Sequence, residues 1–375
     1  MKVPALIATP GRVNARAGAS VPRASLAIGS LFRFGMAAFL AAMPPAVAQE
    51  KAPVAVSAFT LPVSNQLSAE ARRTLARMDA ARAPDLGGDI GRLRAFYGRF
   101  NDDRLAEMRR AFAIRETRVA MNGVPVDVVT PAKGIARGNA VRILINVHGG
   151  AFMWGAGSGA LVEAIPVAAT MGVKVVTVDY RLAPEHAYPA ASQDVAAVYR
   201  ALLKDYRAEN IGIYGCSAGG IVAAQSVAWI GRQGLPRPGA IGTFCGTGAP
   251  YSGDSFYLAA PLDGGREPAL PLPATLPGSY MAGVPLDDAA AYPLMSAAET
   301  AKFPPTLLLA GSRDFAVSAL SLAHRRLAAA GVESEFYAFD GLPHAFFMWP
   351  DMPESREAYH LIARFFDRYL GRKAR

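Results

Sequence analysis

From residue 141 onward the chain alternates short apolar runs rich in Val, Ile and Leu with longer amphipathic segments. This alternation is typical of a mostly parallel sheet covered by helices on both faces. The Asn-Gly pair at 122–123 also predicts a hairpin before the alternation begins. We predict strands at 117–121, 124–129, 141–147, 174–179, 210–214, 240–244, 305–310 and 333–339, and helices at 157–171, 190–205, 218–232, 317–330 and 354–370. The predicted fold class is α/β.

Two segments lie outside this alternation. Residues 67–113 have helical spacing with a Pro/Gly break at 84–88, and residues 246–303 are rich in Gly, Pro and Ala. An insertion of that length between two strands is too long for an ordinary connection. We expect both segments to form a helical cap over the C-terminal edge of the sheet. Five insertion residues are candidates either for a pocket lining or for internal packing: Tyr251, Phe256, Tyr257, Tyr280 and Met281.

The first 48 residues carry five basic side chains and no acidic one. An apolar stretch at 34–43 follows the last base, and the triplet Ala46-Val47-Ala48 comes shortly after it. This order predicts a signal peptide cleaved after Ala48, with export to the periplasm or the medium. An uncleaved membrane anchor is disfavoured because the apolar stretch is too short to cross a bilayer. The predicted division is a signal peptide at 1–48, N-terminal cap helices at 49–114 and an α/β domain at 115–375.

Charge and cysteine content argue against two classes of partner. The formal net charge is +9, and the predicted leader supplies five of the positive charges. The remaining +4 gives no basic stripe of the kind that binds nucleic acid. Cys216 and Cys245 form no C-x-x-C pair and lack metal-ligand spacing with a histidine, so no metal site is expected. A disulfide between them and two buried thiols both remain open, and their apolar surroundings favour the thiols.

The sequence G-C-S-A-G at 215–219 joins a predicted strand to a predicted helix. G-x-S-x-G in this context forms a turn so tight that the flanking positions must lack bulky side chains. Ser217 then projects into a cleft, with backbone N–H groups at the start of the helix. The pattern predicts Ser217 as a nucleophile.

A serine hydroxyl is a weak nucleophile and needs a base that an acid holds in place. Of the histidines after Ser217, His324 and His360 lie within predicted helices, whereas His344 lies in a loop after the last strand. We predict His344 as the base. Asp314, just past the strand at 305–310, is the predicted acid. Asp340 is its rival, but it stands only four residues before His344 on the same loop.

The sequence H-G-G-A-F at 148–152 follows a predicted strand. Glycines there let backbone N–H groups approach an oxyanion closely, and the N–H of Ala218 completes such a site. His148 is expected to orient this loop rather than to act as a base. Gly155, Gly157 and Gly159 lack the spacing of a dinucleotide fingerprint, so no cofactor is expected.

Further motifs connect these residues in one order along the chain. H-G-G-A-F is followed by D-Y-R-L-A-P-E-H at 179–186, Y-P-A-A at 188–191 and G-C-S-A-G-G at 215–220. Pro304-Pro305 then precede the strand leading to Asp314, and His344 comes last. Over about residues 115–372 the sequence resembles the hormone-sensitive-lipase-like esterases, the bacterial branch of the α/β-hydrolase superfamily.

The resemblance implies an α/β-hydrolase fold with a mostly parallel sheet, a helical cap, and no metal or organic cofactor. It implies the following roles: nucleophile Ser217, acid Asp314, base His344, and oxyanion donors Gly149, Gly150 and Ala218. Three features depart from the family pattern. Cys216 stands where Asp usually precedes the nucleophile, the stretch 315–318 lacks a second acidic residue, and the predicted export is unusual.

These residues predict a serine carboxylesterase that acts on short-chain acyl or aryl esters through an acyl-enzyme. An amide or formamide hydrolase and a deacetylase remain open, because a triad fixes the acyl-transfer chemistry but not the group that is released. A ligand-binding protein without activity is a remote alternative, since such proteins lose the base. The expected partner is a small-molecule ester, with no nucleic acid and no stable membrane span in the mature chain. The oligomeric state is left open.

Overall fold

A mostly parallel sheet forms the centre of the protein in a computed structural model that describes residues 60–262 and 279–371. The described residues contribute eight strands, in the order β1-β2-β4-β3-β5-β6-β7-β8. The strands are β1 Ile114–Met121, β2 Val124–Pro131, β3 Ile143–Val147, β4 Lys174–Val178, β5 Ile211–Cys216, β6 Ala240–Phe244, β7 Thr306–Gly311 and β8 Ser334–Phe339. β2 is antiparallel to both β1 and β4, and all other pairs are parallel. The predicted fold class is confirmed.

Helices cover both faces of this sheet. They are α1 Ala69–Ala80, α2 Ile90–Ala111, α3 Ser158–Met171, α4 Ala190–Leu202, α5 Ala218–Arg232, α6 Asp254–Leu262, α7 Ala297–Thr300, α8 Val317–Ala329 and α9 Pro353–Tyr369. Side chains alternate between the faces of a strand, so Ile143 and Ile145 of β3 join the core formed with α4, α5 and α8. Leu144 lies on the other face, in the core formed with α2, α3 and α9. Burial on both faces explains why the central strands have continuous apolar sequences.

The strands and helices predicted from residue 117 onward are confirmed, with small differences at their ends. The largest helical difference is in α4, which was expected to reach residue 205 and ends at Leu202. The amides of Lys204 and Asp205 bond carbonyls three residues back, so the chain tightens into turns there. β5 extends two residues beyond the predicted end, to the position just before Ser217.

Several predictions lie wholly or partly outside the described residues. These are the signal peptide at 1–48, the start of the N-terminal segment at 49–59 and the centre of the insertion at 263–278. The three-part division of the chain therefore stays a prediction. Within the described ranges, no helix combines the length and the apolar character needed to cross a bilayer.

Candidate active site

The predicted nucleophile lies at a sharp turn between β5 and α5. Ser217 has φ +58° and ψ −126°, a conformation that a residue with a side chain rarely adopts. A Cβ at Gly215 would lie 2.2 Å from the Val147 carbonyl oxygen, and one at Gly219 only 1.9 Å from it. Glycine is therefore required on both sides of the serine, and the strained turn places Ser217 at the first turn of α5.

The predicted acid and base lie next to each other. Asp314, which follows β7, is fully buried, and its Oδ1 lies 2.8 Å from Nδ1 of His344. The same oxygen accepts a hydrogen bond from the Ala316 amide at 2.8 Å. Oδ2 is also buried, and no described residue offers it a hydrogen bond. The carboxylate is thus held by the backbone on one side and bonds the imidazole on the other.

The other residues considered as the acid or the base lie away from this pair. Asp340 is exposed and accepts hydrogen bonds from the hydroxyls of Ser64 and Ser312. His324 on α8 bonds the Ser334 hydroxyl at 2.9 Å, and His360 is exposed on α9. The structure therefore brings His344 to Asp314 and not to Asp340.

Ser217 and His344 line one cavity of about 430 Å³. The His344 ring stacks on Phe315, with ring centroids 4.4 Å apart. The rest of the wall is largely aromatic and comes from α2, the loop before α3 and the segment before α9: Tyr97, Phe100, Asn101, Trp154, Met348 and Trp349. None of the five candidate insertion residues lines this cavity, and Tyr251, Tyr280 and Met281 are buried in the core.

Tyr251 nevertheless contacts the nucleophile. Its buried hydroxyl donates to the Cys245 carbonyl at 3.1 Å and is hydrogen-bonded to the Ser217 side chain. Burial, with the charge of Asp314, raises the pKa of Tyr251 well above its ordinary value, and the bond to Ser217 opposes that shift. Among the described residues no hydrogen bond joins Ser217 to His344.

The predicted oxyanion loop follows β3, and here one prediction is wrong. The Gly149 amide donates to Oε1 of Glu163 at 2.7 Å, so it is not available to an oxyanion. By contrast, the amides of Gly150, Ala151 and Ala218 have no acceptor among the described residues. Gly150 and Ala151 line the cavity. Two of the three expected donors, Gly150 and Ala218, thus keep an unoccupied amide among the described residues, and Ala151, which was not expected, has one as well.

Glu163 is the functional residue that the sequence analysis missed. It lies on α3, is 5% exposed, and receives hydrogen bonds from the Gly149 amide, the Asn146 side chain and the Cys216 amide. Burial raises its pKa to about 8. One signal was available, because Glu163 is the only charged residue in the otherwise apolar helix from 158 to 171. A lone acid in a helix that is apolar on all sides is buried and needs partners.

His148 fits its expected orienting role. It is fully buried, its Nδ1 lies 2.7 Å from the Gly149 carbonyl oxygen, and its ring stacks on Tyr180 with centroids 4.3 Å apart. Burial lowers its pKa, so the ring is neutral. A neutral ring held by stacking and one hydrogen bond orients the loop.

Cys216 and Cys245 are buried, reduced and hydrogen-bonded to each other. Burial raises the pKa of both thiols. Cys245 also lies beside the acid and base, since its sulfur and one ligand atom each of Asp314 and His344 fall within 4.8 Å of one another. In that group Asp314 and His344 already bond each other, so the described residues do not form a free set of metal ligands.

Comparison with known proteins assigns the family. The family described as alpha/beta hydrolase fold matches residues 144–348. A curated relative from Mycobacterium tuberculosis, named "Putative acetyl-hydrolase LipR", is 30% identical over 65% of this chain and 77% of its own length.

Two solved structures support the same assignment. The esterase E25 is 26% identical with a TM-score of 0.70, covering 85% of this chain and 99% of that one. A hormone-sensitive lipase from a metagenome library is 26% identical with a TM-score of 0.65, covering 79% and 98%. The chain belongs to the α/β-hydrolase fold family and stands among its bacterial hormone-sensitive-lipase-like esterases.

Proposed function

We propose that this protein is a serine esterase that hydrolyses short-chain acyl or aryl esters of carboxylic acids through an acyl-enzyme on Ser217. The observation that carries the proposal is the 2.8 Å contact between His344 and Asp314 on the wall of the cavity that Ser217 also lines. A buried carboxylate on Nδ1 keeps Nε2 free to accept a proton.

In the proposed reaction, Nε2 of His344 takes the proton of Ser217 as Oγ attacks the carbonyl carbon of the ester. The carbonyl oxygen becomes an oxyanion, which accepts hydrogen bonds from the amides of Gly150, Ala151 and Ala218. The intermediate collapses, and His344 protonates the departing alcohol. Water then attacks the acyl-enzyme with His344 as base, which releases the acid and restores Ser217.

The size and lining of the cavity support small esters. A volume of about 430 Å³ lies near the lower end of the range for small-molecule sites. Tyr97 and Trp154, which both line the cavity, stack on each other with centroids 4.3 Å apart and an interplanar angle of 1°. An aromatic lining favours apolar acyl and aryl groups.

The experiment is hydrolysis of p-nitrophenyl esters of increasing acyl length by the full chain, beside Ser217→Ala. We expect activity that peaks at short chains and is absent in Ser217→Ala. Folded protein with no activity on any of these esters would contradict the proposal. Release of acetate from an N-acetylarylamine, with no activity on the esters, would favour amide hydrolysis or deacetylation. Binding without turnover would favour the non-catalytic alternative.

We also propose that the protein is exported and cleaved after Ala48. The support is the order of basic segment, apolar segment and A-x-A site in residues 1–48. N-terminal sequencing of protein recovered from periplasm and medium should begin at Gln49. Recovery of the chain in the cytoplasm with its leader intact would contradict the proposal.

A further inference from the structure

We propose that Glu163 is a positioning residue whose buried carboxyl group fixes the oxyanion loop, residues 148–152, against the nucleophile turn. This inference rests on the proposed esterase function and deepens it, because it concerns the geometry of the same site. Glu163 lies on α3, which is separate from the elements that carry Ser217, Asp314 and His344.

Three contacts carry the proposal. Oε1 of Glu163 accepts the Gly149 amide at 2.7 Å, and Oε2 accepts the Asn146 side chain at 3.2 Å. The carboxyl also accepts a hydrogen bond from the Cys216 amide, directly before the nucleophile. One side chain therefore joins the end of β3, the second residue of the oxyanion loop and the end of β5.

The loop needs such a support because its backbone is unusual. Gly150, Ala151 and Phe152 follow one another with φ values of +116°, +49° and +64°. Residues with side chains rarely adopt positive φ, and they keep it only where their surroundings impose it. Gly149 directly precedes these three residues, so fixing its amide sets the direction of the amides that follow. Two of these, Gly150 and Ala151, are the donors proposed for the oxyanion.

The contacts require an acceptor at Glu163 and do not require a charge. A neutral carboxyl accepts the Gly149 amide through its carbonyl oxygen, and a glutamine side chain offers the same oxygen to that amide, with its NH2 group in place of the Oε2 that accepts Asn146. A negative charge on Glu163 would oppose the oxyanion that forms nearby, since like charges repel strongly in a buried site. Burial raises the pKa of Glu163 to about 8, which keeps the group largely neutral at pH 7.

Few other groups around Glu163 titrate in this range. The titratable groups whose charges interact with it or that share its cavity are Tyr180, Tyr214, Cys216, Tyr97 and His344. Burial raises the pKa of the three tyrosines and of Cys216, so they remain neutral near pH 8. His344 is the same in wild type and in Glu163→Gln. A decline of kcat at alkaline pH that occurs in wild type and is lost in Glu163→Gln is therefore assigned to the Glu163 carboxyl.

The test compares Glu163→Gln and Glu163→Leu with the full wild-type chain, measuring kcat and KM for p-nitrophenyl butyrate from pH 6 to 10. Misplacing a catalytic group by about 1 Å costs about 100-fold, so we expect Glu163→Leu to lose about that much in kcat with little change in KM. Glu163→Gln should keep kcat at pH 7 and lose the decline near pH 8. Gln225→Leu is the matched control, because Gln225 is fully buried and its bond to the Ala291 carbonyl lies outside the site.

Two results overturn the proposal. One is a Glu163→Leu kcat equal to that of wild type, or lowered only as much as in Gln225→Leu. The other is a Glu163→Gln variant as impaired as Glu163→Leu, because the acceptor would then not be what matters. If Glu163→Leu does not fold, the pH profile of Glu163→Gln still tests the proposal. A kcat at pH 7 equal to that of wild type, without the alkaline decline, supports the proposal. Loss of activity in Glu163→Gln overturns it.

A second readout separates this inference from the proposed function. Diethyl p-nitrophenyl phosphate reacts with an activated serine, so that the Oγ–P bond forms, p-nitrophenolate leaves and the serine proton passes to His344. The rate, followed by intact mass, depends on the oxyanion donors and not on ester turnover. A slow reaction in Glu163→Leu, with faster reactions in both wild type and Glu163→Gln, supports the role of Glu163 even where the ester assay detects no turnover. Equal rates in wild type, Glu163→Leu and Glu163→Gln overturn it, whereas no reaction in any of the three, wild type included, contradicts the proposed function on which it rests.

Discussion

Arg94 on α2 bonds both carboxylate oxygens of Glu185, with each N–O distance at 2.7 Å. The same guanidinium donates to the carbonyl oxygens of Met153 at 2.8 Å and Ala183 at 3.0 Å. Met153 directly follows the oxyanion loop, so one side chain ties the helix that carries Tyr97 to the loop that carries the proposed oxyanion donors. The hydrogen bond from Arg94 lowers the pKa of Glu185 to about 2, so this pair stays ionised throughout any practical assay range.

We predict that Arg94→Ala raises KM several-fold and changes kcat little. The substitution releases α2 from the loop and loosens the aromatic wall, while the acid–base pair at Asp314 and His344 is untouched. Steady-state kinetics with p-nitrophenyl butyrate measure both parameters. Arg92→Ala is the control, because Arg92 is exposed on the same helix. Equal KM values in the two variants would show that the Arg94 contacts do not hold the wall.

We predict that Asp314→Asn lowers kcat by about 10⁴-fold, since an amide cannot hold the base in the orientation and tautomer that it needs. Asp340→Asn should retain nearly full activity, because among the described residues the Asp340 carboxylate bonds only the hydroxyls of Ser64 and Ser312. Circular dichroism establishes that both variants fold. A larger loss in Asp340→Asn than in Asp314→Asn would reverse the assignment of the acid.

We predict that Tyr251→Phe speeds acylation by about fivefold, which corresponds to one neutral hydrogen bond of about 1 kcal/mol. The Tyr251 hydroxyl bonds the Ser217 side chain, and its removal leaves Ser217 free to meet His344. The Cys245 carbonyl loses a donor, so a small loss in melting temperature should accompany the gain. Burst kinetics with p-nitrophenyl acetate measure the acylation step.

Tyr292→Phe is the control for this change, since the Tyr292 hydroxyl is buried and has no hydrogen-bond partner among the described residues. It should leave both the acylation rate and the melting temperature near wild-type values. Slower acylation in Tyr251→Phe would mean that Tyr251 assists Ser217.

We predict that Glu163 makes folding stability fall as pH rises. Its pKa is about 8 in the folded protein, against an ordinary glutamate value of 4.5 in the unfolded chain, so the folded state binds this proton more tightly. The contribution is complete below pH 4.5 and is lost as pH rises through 8, with a total on the order of 5 kcal/mol, of which about 3.5 kcal/mol falls between pH 5 and pH 8. Urea unfolding of wild type and Glu163→Gln at pH 5 and pH 8 measures it. The difference between the two pH values should be smaller in Glu163→Gln by about this amount.

The sequence was sufficient for the parts of the site that depend on local geometry. G-C-S-A-G between a strand and a helix predicts the turn at Ser217, because only glycine fits where a Cβ would meet the Val147 carbonyl. Chain order also separated His344 from the helical histidines, and the structure places it against Asp314. These inferences needed only neighbouring residues or the order of elements.

The remaining parts depend on contacts between distant segments. Gly149 was expected to donate to an oxyanion, and only the position of Glu163 on the following helix shows that its amide is occupied. The cavity wall was sought in the insertion, yet its aromatic residues come largely from α2 and from the segments around Trp154 and Trp349. Periodicity indicates that a helix has a buried face, but it does not indicate what that face meets.

The cavity wall and the turn that carries Ser217 also differ in how many amino-acid substitutions they tolerate. The three glycines within residues 215–220 admit almost no replacement, because a Cβ on any of them would collide with the backbone. Tyr97 and Phe100 stand on an ordinary helix, where an exchanged side chain alters the shape of the cavity without disturbing φ or ψ of Ser217. Single substitutions on α2 therefore change which esters fit the cavity, while the proposed reaction at Ser217 stays the same.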